Sequence, residues 1–363
     1  MGIKRVIISG GGTGGHIFPA LAIAKEIKRQ IPDAEILFVG AEGKMEMEKI
    51  PQAGFDIVGL PIAGMQRKLS LENLKLPFKI LKSIKKAKKV IKKFNPDLAI
   101  GVGGYASAPT LFVANRLKIP TYLQEQNAYP GVTNKILGAK ATRIFAAYDK
   151  INDFFPNVDV ALTGNPIRHE VLRELDKNSV LAELGLEQKP TVLFVGGSLG
   201  ARVINQCLIA EHQKLIDRGF QVIWQCGKSY WQAHPELHTL DVKGLIVSDF
   251  LSDMAKYYKA ADLVVSRAGA LAISEICALG KASVFVPSPY VAEDHQTKNA
   301  MALVEAGAAI LVKEDQVSSK LIATVMNLLG SETDIKRYEN EILKLAKANA
   351  AEAIVNSLIQ DFE

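Results

Sequence analysis

Short apolar runs alternate with helix-period stretches along the whole chain. The runs at Arg5–Ser9, Glu35–Val39, Asp97–Val102, Thr121–Gln124, Arg143–Ala146, Thr191–Val195, Gln221–Cys226, Leu245–Ser248, Leu263–Ser266 and Ala282–Val286 read as strands. Most are continuously apolar rather than alternating, which is the pattern of parallel strands buried on both faces. Helical stretches lie between them. That order predicts right-handed βαβ units and doubly wound α/β sheets.

The two halves of the pattern echo each other. "KRVIISGGGTGGH" near the start is matched by "PTVLFVGGSLGAR" from Pro190, and "PDLAIGVGGYASAP" from Pro96 by "ADLVVSRAGALAISE" from Ala261. Each is a buried strand that runs into a Gly- or Ala-rich turn and then a helix. Two Rossmann-like domains are the simplest account, and 363 residues suit two domains better than one. The join is expected in "TGNPIRHE" (Thr163–Glu170), where Gly164, Asn165 and Pro166 punctuate the chain. The expected domains are 1–164 and 165–344.

Composition narrows the class. A hydrophobic content of 48% with 23% charged residues fits a soluble globular protein, and no apolar run reaches spanning length. The apolar run that ends at Ser9 is too short for a signal peptide, so none is expected. Cys207, Cys226 and Cys277 form no CxxC pair and read as reduced, buried thiols of a cytoplasmic protein.

The net charge of +6 is concentrated in one place. Between Gln66 and Phe94 eleven Lys and Arg face one acid, Glu72, a local +10 that leaves −4 for the remainder. Within it, "LPFKILKSIKKAKKVIKKF" repeats apolar residues Ile80, Ile84, Ala87, Ile91 and Phe94 at helical spacing, with lysines on most of the other positions from Lys79 onward. One face should dock on the protein. The lysines Lys79, Lys82, Lys85, Lys86 and Lys89 are either a solvated face or a contact with an anionic membrane surface. Nucleic acid is disfavoured as the partner, because the only aromatics, Phe78 and Phe94, flank the segment and no binding motif is present.

Candidate chemistry sits in the turns after strands, where α/β proteins place ligands. Gly10, Gly12 and Gly15 satisfy G-x-G-x-x-G, and Glu42 lies roughly where a dehydrogenase wants its ribose-binding acid. The loop holds more glycine than a dinucleotide turn needs, however, and His16 follows at once. An imidazole there can take a proton near neutral pH, or simply point to solvent. "GGSLGAR" offers Gly196, Gly197, Ser198 and Gly200 as a phosphate cradle or an ordinary tight turn. In "SRAGALAISE" Glu275 projects from a helix and can take both hydroxyls of a ribose, or face solvent. "EDHQTKN" adds Gln296, and "EQNAYPGVTN" adds Glu125 and Asn127. No D-x-D occurs and no His/Cys/Asp cluster has metal-ligand spacing, so no metal or cofactor is expected.

Eight segments, "GGGTGGHIFPALAIA", "PDLAIGVGGYASAP", "EQNAYPGVTNK", "TGNPIR", "GGSLGAR", "FLSDM", "SRAGALAISE" and "HQTKNA", stand in the order in which the MurG family carries them. The chain thus resembles that family of bacterial N-acetylglucosaminyltransferases over nearly its whole length. The resemblance implies a GT-B fold, two Rossmann-like domains with parallel sheets facing a central cleft, and a C-terminal helix at about 345–363 packed back on the first domain. It implies inverting transfer of N-acetylglucosamine from UDP-GlcNAc to the C4 hydroxyl of the lipid-linked N-acetylmuramyl pentapeptide, lipid I. Donor contacts would come from Thr13, Gly14, Gly15, Asn127, Arg168, Ser198, Phe250, Leu251, Ala270, Leu271, Glu275 and Gln296. Gly103, Gly104, Tyr105 and Ser107 would hold the acceptor, and His16 would be the base, with Glu125 orienting or replacing it. The enzyme would sit peripherally on the cytoplasmic face of the cell membrane, with room for partners among cell-wall synthesis proteins. The chain departs from the family's pattern at Gln124 and Leu199.

Other readings compete. A UDP-GlcNAc 2-epimerase or another GT-B nucleotide-sugar enzyme would share the donor site. A dinucleotide oxidoreductase would not need the second Gly-rich loop. A non-catalytic binder built on the basic helix would leave both loops unexplained.

Overall fold

All pairings among the described strands are parallel. The computed structural model describes residues 2–62, 76–197 and 200–363. Contacts divide the chain into two units, one running to Arg168 and taking back Lys347–Glu363, the other His169–Ala346.

The first unit holds β1 (Arg5–Ser9), β2 (Glu35–Ala41), β3 (Asp56–Leu60), β4 (Leu98–Gly101), β5 (Thr121–Glu125), β6 (Arg143–Ala146) and β7 (Asp159–Leu162). Their order in the sheet is β3-β2-β1-β4-β5-β6-β7. The chain winds one way from β1 to β3 and the other way from β4 onward, so the strand order reverses between β1 and β4. Val6, Ile7 and Ile8 are fully buried, because helices cover both faces. On one face the helices Gly14–Gln30 and Ala350–Gln360 pack Ile17, Ile23, Ile354, Val355 and Leu358 against Val6, Ile8 and Ile100. On the other, the helices Leu76–Phe94 and Ser107–Arg116 bring Ala87, Ile91 and Val113 onto Ile7 and Ala99.

The second unit holds β8 (Thr191–Val195), β9 (Gln221–Gln225), β10 (Leu245–Ser248), β11 (Leu263–Ser266), β12 (Ala282–Phe285) and β13 (Ile310–Leu311), in the order β10-β9-β8-β11-β12-β13. Its reversal falls between β8 and β11. Trp224, Phe194 and Val265 lie at the centre of a core closed by Leu208 and Leu321 from the helices Arg202–Asp217 and Val317–Leu329.

The ten strands expected from the apolar runs are present, within two residues at each end. The strands β3, β7 and β13 escape that reading. All three are sheet edges and carry exposed or half-buried positions, where central strands such as β4 and β5 are wholly buried. In the basic helix Ala87 and Ile91 dock as expected, but Ile80 does not: it is exposed with Phe78 and Leu81, outside the cluster that takes in Ala87 and Ile91.

Candidate active site

The four Gly- or Ala-rich turns singled out in the sequence follow β1, β4, β8 and β11, the strands that flank the two reversal points. Crossovers leave in opposite directions there, which opens a crevice at the carboxyl ends of the strands in each sheet.

In the first unit the turns after β1 and β4 touch backbone to backbone. A Cβ at Gly104 would lie 2.4 Å from Gly11 O, and one at Gly103 would lie 2.7 Å from His16 Cδ2. Gly103 and Gly104 also have φ near +90° and +85°, a region that side chains disfavour. His16 is the third residue of Gly14–Gln30. Its Nδ1 is 3.1 Å from Gly11 O and 3.4 Å from Thr13 Oγ1. Thr13 and Gly15 are exposed, while His16 is half-buried, so its ring does not simply hang in solvent.

Ser107 is fully buried, with its hydroxyl 2.6 Å from Ser9 O and 2.9 Å from Gly103 O. That hydroxyl ties β1 to the turn after β4 and supports the turn from beneath. Tyr105 is the exposed member of the group.

Glu125, at the end of β5, is 1% exposed. Its carboxylate accepts bonds from Asn127 N at 3.0 Å, Asn127 Nδ2 at 3.3 Å, Gly131 N at 3.0 Å and Asn134 Nδ2 at 2.7 Å. Burial pushes its pKa above the usual carboxylate value, and the four donors oppose that rise. A carboxylate so occupied organises the loop from Asn127 to Asn134.

Sequence reasoning named Gln124 and Asn165 but missed the bonded group they form beneath these loops. Gln124, Gln126 and Asn165 are buried and mutually bonded: Gln124 Nε2 donates to Asn165 Oδ1 at 2.9 Å, Asn165 Nδ2 to Gln126 O at 3.0 Å, and Gln126 Nε2 to Val102 O at 2.9 Å. Gln124 therefore serves inside the protein, with its amide spent on Asn165. Glu46 was also missed. It is 1% exposed and accepts from Gly12 N at 2.8 Å and Ala41 N at 3.0 Å. The only early signals were polar residues against buried strand ends, which no local spacing marks out.

Arg168, expected on the second domain, closes the first unit, and its guanidinium lies 5.4 Å from the centroid of the Phe18 ring.

In the second unit Gly200, with φ near +78°, lets the turn after β8 pass Cys226 O; a Cβ there would be 2.1 Å away. Ser198 and Leu199 lie outside the described residues. Gln225 Nε2 donates to Gly197 O and Asp249 O, both at 3.0 Å, which joins the turns after β8 and β10. Phe250 is half-exposed while Leu251 is buried.

After β11 the helix Ala270–Ala278 starts from Gly269 in extended conformation, with no acid in its first turn and no side-chain cap. Ala270 and Leu271 thus present backbone N–H groups at the positive end of a helix dipole. Glu275 on the same helix is 5% exposed, so it does not face open solvent. Arg267 spends its charge internally, 2.6 Å from Glu314 and 3.1 Å from Val286 O. Gln296 Oε1 accepts from Ser288 N at 2.8 Å, after Glu293 and Asp294 turn the chain through positive φ. Among the described residues no three His, Cys, Asp or Glu side chains form a metal-binding group.

Residues 6–146 match the family model "Glycosyltransferase family 28 N-terminal domain", and residues 191–355 match "Glycosyltransferase family 28 C-terminal domain". The UDP-N-acetylglucosamine–N-acetylmuramyl-(pentapeptide) pyrophosphoryl-undecaprenol N-acetylglucosamine transferase of Parabacteroides distasonis is 47% identical, over 98% of each chain. Its counterpart in Bacteroides fragilis is 49% identical, over 98% of this chain and 95% of the other. A crystal structure of Acinetobacter baumannii MurG is 31% identical, covers 99% of both chains and superposes with a TM-score of 0.77. The UDP-GlcNAc 2-epimerase of Neisseria meningitidis superposes with a TM-score of 0.70 at 14% identity, over 99% of this chain and 100% of the other, a likeness of fold alone.

Proposed function

The chain belongs to glycosyltransferase family 28, among its MurG-type enzymes, and moves N-acetylglucosamine from UDP-GlcNAc onto lipid I in peptidoglycan synthesis; from that premise we propose how its residues divide the work. His16 Nε2 takes the proton of the acceptor's C4 hydroxyl as that oxygen bonds to C1 of the donor sugar. The bond from C1 to the β-phosphate oxygen breaks, its electron pair leaves with UDP, and the configuration at C1 inverts. The single observation that carries this assignment is the contact of His16 Nδ1 with Gly11 O. A carbonyl can only accept, so the ring nitrogen facing it carries the proton and Nε2 is the basic one.

Glu125 acts by holding the Asn127 loop, because its carboxylate is buried and already accepts four bonds. In the second unit Glu275 takes the ribose hydroxyls, Phe250 and Leu251 meet the uracil, and Gln296 and Ser198 support the nucleotide. The diphosphate rests against the N–H groups at Ala270 and Leu271, where an anion is favoured without a metal. Thr13, Gly14, Gly15, Asn127 and Arg168 face the donor sugar. Gly103, Gly104 and Tyr105 face the acceptor, with Ser107 as their support.

The enzyme works peripherally at the cytoplasmic face of the membrane. Exposed Phe78 (73%) and Leu81 (58%) stand beside Lys82 and Lys85 on the first turns of the helix Leu76–Phe94, an apolar tip set among cations. Among the described residues no helix is long and apolar enough to cross a membrane.

The test is turnover of UDP-GlcNAc with a lipid I analogue in the presence of EDTA. UDP release should require the acceptor and persist in the chelator. His16→Ala should lower kcat about 10²-fold or more with the donor KM little changed. Near-normal turnover of His16→Ala would remove the histidine from the role of base.

A further inference from the structure

Glu46 has no part in the scheme above, yet it lies under the loop that carries His16. It is a carboxylate at 1% exposure whose described partners are backbone N–H groups, Gly12 N on the loop after β1 and Ala41 N at the end of β2. The surroundings are built around it. A Cβ at Gly11 would lie 2.1 Å from Glu46 Oε1, and a Cβ at Gly40 would lie 2.6 Å from Glu46 Cγ. Two glycines therefore give way to this one side chain. A buried carboxylate is costly to keep unless its oxygens are bonded, so it marks a position where a defined geometry is being held.

What Glu46 holds is the peptide between Gly11 and Gly12. Its Oε2 takes the Gly12 N–H, and the carbonyl of that same peptide, Gly11 O, is the one 3.1 Å from His16 Nδ1. N–H and C=O of one peptide point in opposite directions because the unit is planar. Fixing the Gly12 N–H on the carboxylate thus aims the Gly11 carbonyl at the imidazole. With φ of +155° at Gly11 and +86° at Gly12, glycine leaves this peptide otherwise easy to rotate.

We propose that Glu46 is a positioning residue for the transfer: through the Gly11–Gly12 peptide it keeps His16 in the Nδ1–H tautomer and its Nε2 turned to the acceptor. The inference rests on His16 being the base. Glu46 itself touches neither substrate nor reacting atoms.

The test reads the tautomer directly. Long-range 1H–15N spectra of 15N-histidine-labelled protein at pH 8.5 separate proton-bearing from bare ring nitrogens, and the His16 signals are those lost in His16→Gln. Wild-type protein should show His16 protonated at Nδ1. In Glu46→Gln an NH2 group that can only donate replaces one carboxylate oxygen, so the two N–H groups no longer each have an accepting oxygen, the Gly11–Gly12 peptide is loosened and the Nε2–H form should appear. There kcat should fall at least ten-fold, with the donor KM within two-fold. Gly40→Ala, which keeps both carboxylate oxygens but displaces them, should shift the tautomer in the same direction. Nε2–H in wild-type protein, or unchanged tautomer and kcat in a folded Glu46→Gln, would overturn the proposal. His16→Ala turning over normally would instead defeat the assignment of the base, whatever Glu46 does.

Discussion

Gly103 leaves room for the imidazole of His16: a Cβ at Gly103 would stand 2.7 Å from His16 Cδ2 and 2.8 Å from His16 Nε2. The ring packs on bare backbone, which brings the end of β4 against the nitrogen that must act. Its partner across the ring is Gly11 O, so the imidazole lies between two glycine loops from two adjacent strands.

Gly103→Ala should therefore disable the reaction while leaving the protein folded. The methyl group would push the ring or its loop by several tenths of an ångström, and φ near +90° at residue 103 adds strain of about 1 kcal/mol or more. Displacement on that scale at a reacting group can cost about 10²-fold in kcat. Donor binding, which the proposal assigns largely to the second unit, should hold. Equal losses of kcat and donor affinity in steady-state kinetics would count against this account.

The C-terminal helix belongs to the first unit, and removing it should unfold that unit. Ile354, Val355 and Leu358 of Ala350–Gln360 are fully buried in the same core as Ile8 and Ile23, and each contributes about 1.5–3 kcal/mol of burial. Tyr122 donates to Asp361 at 3.0 Å, and Arg143 lies 3.2 Å from the same carboxylate. A chain ending at residue 346 should be insoluble or lose cooperative melting of the first unit. A soluble truncate with unaltered melting by calorimetry would show that this helix is dispensable.

The inner strands were legible because burial on both faces writes itself as unbroken apolar runs, as in Val6–Ile8 and Leu263–Val265. The edges Asp56–Leu60 and Asp159–Leu162 were not, because a half-covered strand needs fewer apolar residues. The glycine turns were legible, since positive φ and close backbone approach demand glycine at Gly103 and Gly200. The groups that hold those turns were not. Glu46 meets Gly12 across 34 positions, and Gln124 meets Asn165 across 41. No local period announces such a contact, and a buried Glu reads in sequence like any surface Glu in a helix's first turn.

The basic helix should bind anionic membrane through its first turns. Replacing Lys79, Lys82, Lys85 and Lys89 with Gln leaves the ion pair of Lys86 with Glu42, at 2.8 Å, intact. With about 1 kcal/mol lost per lysine near the surface, binding to phosphatidylserine-containing vesicles should fall well over ten-fold. Residual wild-type binding should weaken with salt, as exposed charges are screened. Unchanged cosedimentation of the four-fold variant would make these lysines a solvated face only.

Lys281 gives the second unit a pH dependence of predictable sign. Burial lowers its pKa from 10.5 to about 8; Lys177 nearby lowers it further, Glu339 and Asp262 oppose the shift, and Lys259 adds a last small lowering. Its Nζ donates to Ala261 O at 2.7 Å. The folded state thus prefers the neutral amine. Above pH 10.5 the amine is neutral folded or unfolded. As pH falls toward 8 the unfolded chain takes a proton that the folded one resists, and about 3 kcal/mol of stability is lost across that window. Below pH 8 the loss is complete and constant. Lys281→Met removes the charge and also one hydrogen bond of about 1 kcal/mol. The variant should therefore melt higher than wild type at pH 7, and that advantage should shrink and then reverse between pH 8 and 10.5. Melting curves of both proteins across this range measure it, and a difference that stays flat with pH would mean that Lys281 is charged in the fold at no cost.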